Sequence, residues 1–339
     1  MKIYFRPLVQ TGAAKPSSAL NLAGSACWFT HVEVLQRQGA AEILPVSVLP
    51  AEVRVALCGT RPSIAGLRFD APRVMGILNL TPDSFYDGGQ FKDSLQALTR
   101  AREMIAQGAD ILDIGGESTR PGALEIDREV EITRTAPVIA AIRQHENVPI
   151  SIDTRKAAVA EAAGLAGADL VNDVSGFTFD SALAALCRDR AMPVIVMHAQ
   201  GIPQTMQEAP HYDNVLLDVF DFLQQQITGL TALGLARSQI IVDPGIGFGK
   251  TLTHNLALLQ RLSLFHGLGV PVLLGASRKG FISAIGKASK YHDRLPGSIA
   301  VALEALAQGV QIVRVHDVAE TRQAIDLWQA LKGAAGHGT

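Results

Sequence analysis

Residues 239–251 read Q-I-I-V-D-P-G-I-G-F-G-K-T, and the fold of the chain can be worked out from this stretch. The β-branched apolar run at 240–242 is typical of a parallel strand that is buried on both faces. Asp243 follows the run directly, and Pro244 and Gly245 end the strand. An unpaired carboxylate buried at such a strand end costs several kcal/mol. Asp243 is therefore either a ligand-binding residue or, as is common before Pro-Gly, a residue that only caps the turn.

Residues 245–251 look like a phosphate-binding loop, but they do not complete its pattern. The pattern G-x-x-x-x-G-K-[ST] requires glycine where this chain has Pro244. Asp243 would in addition repel bound phosphates. We expect instead that the glycines let the backbone approach a flat ligand closely, and that the next helix begins near Thr253.

An apolar run that ends in polar residues and precedes a helix-like segment occurs eight times. The runs lie at 74–78, 111–114, 150–152, 170–171, 194–197, 240–242, 272–274 and 312–315. The helix-like segments lie at 93–107, 127–145, 156–166, 180–190, 212–233, 253–264, 295–308 and 318–331, with an extra short helix expected within 280–294. Eight β-α units over about 240 residues predict an α/β fold, a (β/α)8 TIM barrel whose active site lies at the carboxyl ends of the strands.

Residues 1–70 differ from the rest and predict a small N-terminal β-rich extension, with the barrel at 71–335. Segments at 2–8, 27–35 and 43–49 alternate or are β-branched, with Gly, Pro and Ser between them, which indicates short antiparallel strands. In the second segment the alternation places His31 and Glu33 on the solvent face. We expect residues 67–69 to close the bottom of the barrel, and we expect no catalytic group in the extension.

The composition excludes several classes of protein. With 339 residues, 48% of them hydrophobic, the chain can bury one large core. The net charge of −2 and the lack of a long basic run argue against nucleic acid and anionic membranes as partners. No apolar stretch is long enough to span a membrane, and the N-terminus lacks the apolar core of a signal peptide. The three dispersed cysteines, Cys27, Cys58 and Cys187, predict a reducing cytoplasm.

Asp153, Asn172 and Asp243 follow the third, fourth and sixth runs and bring acceptor oxygens to the barrel mouth. A carboxylate accepts two parallel hydrogen bonds from a 2-amino group and a ring N–H, so these residues suit an aminopyrimidine ring. The alternative is that the carboxylates only pair with Lys279 or Arg314. Ligand binding is favoured, because buried ion pairs alone rarely stabilise a fold.

Cationic or anion-binding groups follow the last two runs. Lys279 comes after the seventh run, and Arg314 and His316 share one face of the eighth strand by its period of two. The loops after strands seven and eight are the usual phosphate site of such barrels, and the helix that follows adds its positive N-terminal dipole. A histidine at a strand end is more often a satisfied hydrogen-bonding residue, but the two neighbouring cations favour a phosphate site.

Two glycine-rich loops, at 79–89 and 115–122, follow the first two runs and are expected to act as lids. The first loop begins with Asn79, whose amide oxygen suits Mg²⁺. This ion is usually held by one or two protein oxygens together with phosphate. We therefore expect Mg²⁺ as the cofactor, with Asn79 as its protein ligand.

Seven motifs then occur in order over about 72–333. They are M-G-I-L-N-L-T-P-D-S-F (75–85), D-I-G-G-E-S-T-R-P-G (113–122), I-D-T (152–154), N-D-V-S-G (172–176), D-P-G-I-G-F-G-K (243–250), S-R-K (277–279) and R-V-H-D-V (314–318). Together they resemble the dihydropteroate synthase family. The resemblance implies a transferase of folate biosynthesis that condenses 6-hydroxymethyl-7,8-dihydropterin diphosphate with 4-aminobenzoate. Diphosphate would leave first, helped by charge stabilisation, and the neutral arylamine would then attack to give 7,8-dihydropteroate.

The same resemblance implies a role for individual residues. The catalytic residues would be Lys279, Arg314, His316 and Asp153. The pterin would be held by Asp153, Asn172, Asp243, Met197, Lys279 and Arg314, and the diphosphate by Asn79, Arg120 and His316 with Mg²⁺. The aminobenzoate site would be lined by Thr119, Pro121, Phe248 and Ser277. The expected partners are these small-molecule substrates, and the expected assembly is a homodimer.

Two features depart from the family or lie outside it. Residues 197–201 read M-H-A-Q-G, and relatives often carry Met in place of Ala199, which would widen a wall without removing chemistry. The resemblance says nothing about residues 1–60. Two alternatives stay open: a pterin-dependent methyltransferase, which has no use for the cationic groups at 279, 314 and 316, and a non-catalytic pterin-binding protein.

Overall fold

The computed structural model describes residues 2–81, 90–120 and 122–333. The extension contains strands β1 (Tyr4–Pro7), β2 (Leu20–Asn21), β3 (Trp28–Phe29), β4 (His31–Leu35) and β5 (Glu42–Pro45), then a 3-10 turn (Val46–Val48) and helix α1 (Ala51–Cys58). Strands β1, β4 and β5 form an antiparallel sheet, and β2 pairs with β3. The predicted antiparallel strands are therefore confirmed, whereas α1 was not predicted, because its eight residues are too few to show a helical period.

One prediction for the extension is wrong. His31 is exposed as expected, but the side chain of Glu33 is only 13% exposed. Arg6 on the paired strand β1 covers Glu33 and donates from Nε to its carboxylate at 2.5 Å. A neighbouring strand with a long side chain thus removes from solvent a position that alternation alone would leave exposed.

The barrel strands are β6 (Arg73–Asn79), β7 (Ile111–Gly115), β8 (Ile150–Asp153), β9 (Leu170–Asp173), β10 (Val194–Met197), β11 (Ile240–Asp243), β12 (Leu273–Leu274) and β13 (Ile312–Val315). All their pairings are parallel, in the order β11-β10-β9-β8-β7-β6-β13-β12. A parallel bridge between Val242 and Val272 joins the two edges. The predicted (β/α)8 barrel is confirmed.

The helices outside the strands are α2 (Gln90–Ala106), α3 (Arg128–Arg143), α4 (Ala157–Ala166), α5 (Ser181–Asp189), α6 (Val215–Ala232), α7 (Leu252–Leu259), α8 (Gly280–Gly286), α9 (Leu295–Ala307) and α10 (Val318–Leu331). Helix α7 begins at Leu252 because Thr251 caps it, accepting from the backbone N–H of His254 at 3.2 Å. Helix α8 is the extra short helix expected within 280–294. No helix in the described ranges is long and apolar enough to cross a membrane.

Alternate residues of each barrel strand face the interior or the helices. Met75, Ile111, Leu170 and Ile312 point inward and form one apolar layer with Leu67 and Phe69. The bottom of the barrel is thus closed by the segment that precedes the first barrel strand, as predicted. The positions two and four residues further along the strands face the same interior at the opposite end, and these positions carry the polar residues discussed below.

The extension packs against α6 and the 3-10 helix Leu262–Leu268. The Tyr4 hydroxyl donates to Asp221 at 2.8 Å, and its ring stands edge-on to Phe220 with 5.5 Å between the ring centres. Ser263 donates its hydroxyl to the carbonyl of Pro7 at 2.9 Å, in a buried position. The extension therefore covers apolar surface on the side of the barrel. All three cysteines are free thiols; Cys27 and Cys187 are buried and Cys58 is half-buried.

Candidate active site

A cavity of about 700 Å³ opens at the carboxyl ends of the barrel strands. Its wall includes nine of the predicted site residues: Asn79, Thr119, Arg120, Asp153, Phe248, Ser277, Lys279, Arg314 and His316. Three predicted pterin residues, Asn172, Met197 and Asp243, are buried and do not form part of this wall. The predicted aminobenzoate residue Pro121 lies outside the described residues, as does the loop segment 82–89.

Arg314 forms the centre of a buried ion cluster. Its Nε donates to Oδ2 of Asp113 on β7 at 2.5 Å, and its Nη2 donates to Oδ2 of Asp153 on β8 at 2.8 Å. Asn172 on β9 donates its side-chain amide to the same oxygen of Asp113 at 3.1 Å. Asp153, a predicted pterin ligand, thus pairs with Arg314, which is the alternative raised above. The pairing also includes Asp113, a residue that was not predicted.

Burial controls the protonation of this cluster. It raises the pKa of Asp153 to about 8, the charge of Asp113 adds to the rise, and Arg314 opposes it. Burial alone would lower the pKa of Arg314, but attraction to Asp113 and Asp153 outweighs burial, so that pKa is raised. Asp153 is therefore mostly protonated near neutral pH. Its Oδ1 is buried and has no hydrogen-bond partner among the residues that the structure describes, which is the arrangement expected of a group that bonds to a ligand.

Asp243 caps its own turn, since its Oδ1 accepts from the backbone N–H of Gly245 at 2.7 Å. Burial raises the pKa of Asp243, and this hydrogen bond opposes the rise. Gly245 has a φ of +68°, and a Cβ there would stand 1.9 Å from the carbonyl oxygen of His198. At Gly249 the corresponding distance is 2.3 Å to the carbonyl oxygen of Gln200. These two glycines thus let their own backbone lie close to the loop after β10. The expectation that the glycines serve close approach to a ligand is corrected for these two positions.

Lys250, the lysine of the apparent phosphate loop, makes its hydrogen bonds with neighbouring groups of the protein. It is 2% exposed, and its Nζ donates to the carbonyls of Gly245 at 2.8 Å and Phe248 at 3.1 Å. The same Nζ lies 2.9 Å from Nδ1 of His198. Burial lowers the pKa of Lys250 well below its ordinary value. This lysine fixes the shape of the glycine-rich loop, in agreement with the conclusion that 245–251 is not a phosphate loop.

Lys279 lies across the same loop. Its Nζ donates to the carbonyl of Ile246 and stands 3.9 Å from the centre of the Phe248 ring. Burial lowers the pKa of Lys279 to about 7; Asp243 opposes the fall and Arg314 adds to it. The ammonium is therefore only partly protonated at neutral pH, and a bound anion would favour its charged form.

His316 is held from two sides. Its Nδ1 lies 3.0 Å from Oγ of Ser277, and its Nε2 lies 2.8 Å from the hydroxyl of Tyr291. Burial lowers the pKa of His316 to about 3, and the nearby cations Arg314, Arg278, Arg120 and Lys279 add to the effect. The imidazole is thus neutral at physiological pH. It can serve an anion as an N–H donor and does not add positive charge.

The loop that carries Thr119 and Arg120 is anchored at Glu117. The carboxylate of Glu117 accepts from Arg155 at 2.8 Å and from Lys156 at 3.1 Å, and all three side chains are buried. Burial would raise the pKa of Glu117, but the hydrogen bonds outweigh burial and lower it. The base of this loop is therefore fixed, while Arg120 beyond it is exposed at the cavity mouth.

The predicted Mg²⁺ ligand Asn79 ends β6 and lines the cavity. Its Oδ1 lies 3.6 Å from the position that a Cβ would take at Gly115, so the absence of a side chain on β7 leaves space beside the amide oxygen. Residues 2–81, 90–120 and 122–333 contain no group of three or more His, Cys, Asp or Glu that could hold a metal. A single amide oxygen fits Mg²⁺ when diphosphate and water supply the other ligands.

Two residues that bond to the predicted site residues, Asp113 and Tyr291, differ in how far the sequence could have identified them. Asp113 interrupts the apolar run 111–114 at an inward-facing position, two residues before Gly115. Applying the period of two inside that run would have identified it. Tyr291 lies in an aperiodic segment between α8 and α9, and no pattern distinguishes it from its neighbours.

Comparison with known proteins defines the class first. Residues 75–316 match the model of the pterin binding enzyme family. The dihydropteroate synthase of Escherichia coli (strain K12) is 45% identical over 263 residues, which are 78% of this chain and 93% of that protein. With such coverage on both sides, the chain belongs to the dihydropteroate synthase family of pterin-binding enzymes.

Solved structures agree with this assignment. Yersinia pestis dihydropteroate synthase in complex with a sulfonamide drug superposes with a TM-score of 0.75 at 44% identity, covering 79% of this chain and 97% of that one. Xanthomonas albilineans dihydropteroate synthase with 4-aminobenzoic acid superposes with a TM-score of 0.76 at 41% identity, covering 81% and 99%. The matched portion of this chain leaves out about one fifth of its length.

Proposed function

We propose that this chain condenses 6-hydroxymethyl-7,8-dihydropterin diphosphate with 4-aminobenzoate to give 7,8-dihydropteroate and diphosphate, and that the cavity at the barrel mouth is where it does so. The observation that carries the proposal is the convergence of Asp153, Lys279, Arg314 and His316 in one cavity. These residues combine an acidic floor with basic groups nearer the loops. The substrate has the matching polarity, an N–H-rich pterin at one end and a diphosphate at the other.

The pterin is held at the floor of the cavity. Asp153 presents a buried oxygen without a partner, suited to the ring N–H and 2-amino groups. Asn172 and Asp243 lie in the same interior layer, but Asn172 is engaged with Asp113 and Asp243 with its own turn. As pterin ligands they would exchange these hydrogen bonds for bonds to the ring. Arg314 then offers its planar guanidinium for stacking on the ring.

The diphosphate is held by groups at the mouth. Arg120 supplies charge, neutral His316 supplies an N–H, and Asn79 supplies an oxygen that would hold Mg²⁺ with the diphosphate. Mg²⁺, when bound, would neutralise charge on the leaving group. Donors placed where negative charge develops contribute the largest share of catalysis in many enzymes. Loss of diphosphate leaves a pterin methylene cation. This positive charge favours the deprotonated form of Asp153, which in turn stabilises the cation.

The aminobenzoate enters last, between the loop after β7 and the loop 245–251 after β11. Thr119, Phe248 and Ser277 line this part of the cavity, and Pro121 is proposed with them. The amine of 4-aminobenzoate is nucleophilic in its neutral form. Attack on the methylene carbon forms the C–N bond, and the amine proton passes to solvent or to the released diphosphate.

The test is a diphosphate-release assay on the purified full chain. The pterin diphosphate is supplied with or without 4-aminobenzoate, and with Mg²⁺ or a chelator, and the organic product is identified by its mass. Release that requires 4-aminobenzoate and yields 7,8-dihydropteroate supports the proposal. Lys279→Ala should abolish release, whereas Lys15→Ala, an exposed lysine of the extension, is the matched control and should not.

The alternatives predict different results in the same assay. A pterin-dependent methyltransferase would release no diphosphate. A non-catalytic binder would retain the pterin diphosphate without turnover. Dependence of the release on Mg²⁺ tests the cofactor separately, because condensation that continues in the chelator would reject Mg²⁺ while keeping the reaction.

Three further properties are proposed with this function. The three free thiols favour the cytoplasm. A homodimer is proposed on the resemblance alone and is tested by light scattering of the full chain. The division into an extension at 1–70 and a barrel at 71–335 is supported by a separate small core around Leu22, Phe29 and Leu57.

A further inference from the structure

Tyr291 lies at the mouth of the cavity, among its basic residues, and has no role so far. It lies between α8 and α9, just before the 3-10 turn His292–Arg294, and it is 38% exposed. Its hydroxyl is 2.8 Å from Nε2 of His316 and accepts from Nη2 of Arg120 at 3.4 Å. These two partners are the protein groups proposed above to hold the diphosphate. The hydroxyl thus sits between them, where an anionic oxygen would be expected to bind.

The ring of Tyr291 is surrounded by positive charge. The guanidinium carbons of Arg278, Arg120 and Arg294 lie 5.0, 5.2 and 5.8 Å from its centre. Arg278 pairs with Asp317. For Arg120 and Arg294, the described part of the chain provides no carboxylate within ion-pair distance. An electron-rich ring stabilises such cations without neutralising them.

The surroundings therefore favour an anion that is larger than one carboxylate. Among the described residues, two guanidinium groups have no carboxylate partner. A neutral imidazole offers a nitrogen, and a phenol offers an O–H that can turn from one acceptor to another. The cavity contains all these residues in its wall. A diphosphate fits this combination, because its oxygens can accept from several donors at once.

We propose that Tyr291 is a further diphosphate-binding residue: in the free protein its hydroxyl holds His316 and Arg120 in place, and on binding it donates instead to an oxygen of the diphosphate. This inference rests on the proposed function, because it concerns the leaving group of that reaction. Tyr291 acts as a positioning residue before binding and as a hydrogen-bond donor after it. The pterin ring, which binds at the floor, does not contact it.

The test compares Tyr291→Phe with wild type. Phenylalanine keeps the ring among the arginines and removes only the hydroxyl. The matched control is Tyr4→Phe, which removes the hydroxyl bonded to Asp221 in the extension. Calorimetry measures the affinity for inorganic diphosphate and, separately, for 6-hydroxymethylpterin, which lacks the diphosphate. Steady-state assays give KM for the pterin diphosphate and for 4-aminobenzoate.

The proposal predicts about tenfold weaker diphosphate binding in Tyr291→Phe, the usual scale for one hydrogen bond to a charged group. KM for the pterin diphosphate should rise by a similar factor, while affinity for 6-hydroxymethylpterin stays unchanged. Unchanged diphosphate affinity would overturn the proposal. Tighter diphosphate binding would also overturn it, because the hydroxyl would then compete with the anion for His316.

Weaker binding of both diphosphate and 6-hydroxymethylpterin would overturn it as well, since that result points to a general structural role. The proposed function fails in a different way, when wild type releases no diphosphate with both substrates present. The calorimetric comparison is independent of turnover, so the two failures can be told apart.

Discussion

Replacement of Arg314 by methionine is the sharpest test of the buried ion cluster. Methionine retains an unbranched apolar stem like that of arginine but lacks the guanidinium that bonds to Asp113 and Asp153. The Asp113 side chain is fully buried and that of Asp153 is 9% exposed, so solvent cannot replace the lost partner. Breaking a buried pair by removing one member typically costs about 3–5 kcal/mol.

Part of the stability lost in Arg314→Met depends on pH. A buried aspartate can avoid its charge by taking up a proton, at about 1.36 kcal/mol for each pH unit above its unfolded pKa near 4. Because Asp153 has a pKa raised to about 8, it is already mostly protonated below pH 7 in the wild type, and the loss of Arg314 changes its protonation only as the pH approaches and passes 8. The pH-dependent part of the loss of stability is therefore small below pH 7 and grows by about 1.4 kcal/mol for each pH unit above 8, until the pKa of Asp153 in the variant is reached.

The sign of the pH dependence follows from Asp153. Arg314 lowers the pKa of Asp153 in the wild type, so its removal raises that pKa further above the unfolded value. A carboxyl group with a raised folded pKa loses its stabilising contribution as pH rises between the two values. Because the pKa of Asp153 is already about 8 with Arg314 present, the destabilisation caused by Arg314→Met must be similar at pH 5.5 and pH 7 and larger at pH 9.

The assay is urea unfolding at pH 7 and at pH 9, followed by circular dichroism. Arg190→Met is the control, because Arg190 pairs with Glu161 at 2.8 Å with both side chains about half exposed; it should cost less than about 1 kcal/mol. The double variant with Asp113→Asn should recover about 2 kcal/mol or more at pH 7, since an amide carries no charge to bury. Equal destabilisation at both pH values, or no recovery in the double variant, would refute the reasoning.

Four further predictions follow from the site. Lys279→Ala and Asp243→Asn should each reduce turnover by at least about a hundredfold while keeping a cooperative thermal transition; near-normal turnover would remove that residue from the site. Because burial lowers the pKa of Lys279 to about 7, kcat/KM for the pterin diphosphate should fall as pH rises through 7, and Lys279→Arg should shift this limb out of the neutral range; an unchanged profile would contradict the assignment. Deletion of residues 1–60 should lower the melting temperature or the solubility and leave turnover intact; a soluble truncation that binds substrate but cannot turn it over would be the opposite result. Calorimetry should show higher aminobenzoate affinity once a pterin and diphosphate with Mg²⁺ are bound, and equal affinities would mean that the pocket is already formed.

Much of the barrel could be predicted because its signals are local. Each strand is a short apolar run and each run ends in a polar residue, so the eightfold repeat is visible without knowledge of any contact. The period of two also predicted that Arg314 and His316 share a face, and both line the cavity. Where one strand alone fixes the direction of a side chain, sequence reasoning was sufficient.

The depth at which a side chain lies in the barrel, and the residues that it contacts, were not predictable in the same way. Asn172 and Asp243 were expected at the cavity, and both are buried beyond its wall, because the height of a residue in the barrel depends on the stagger of neighbouring strands. Asp113 escaped notice inside an apolar run. Tyr291 meets His316 only through the packing of α8 and α9, a contact between distant segments that no local pattern encodes.

The distribution of charge gives the site a direction. Asp153 lies at the floor of the cavity, with Asp113 and Asp243 buried behind it, whereas the outer part of the cavity holds Lys279 and several arginines. Burying two carboxylates, Asp113 and Asp153, on a single guanidinium is unfavourable for folding alone. One oxygen of each has no hydrogen-bond partner among the described residues, which adds to the cost. A ligand that donates N–H groups to the floor and presents phosphate oxygens to the mouth would satisfy both ends, and it could bind in only one orientation. The bond between pterin and diphosphate would then lie between the two charge layers, so that the same field which orients the substrate also favours the separation of a cation from an anion.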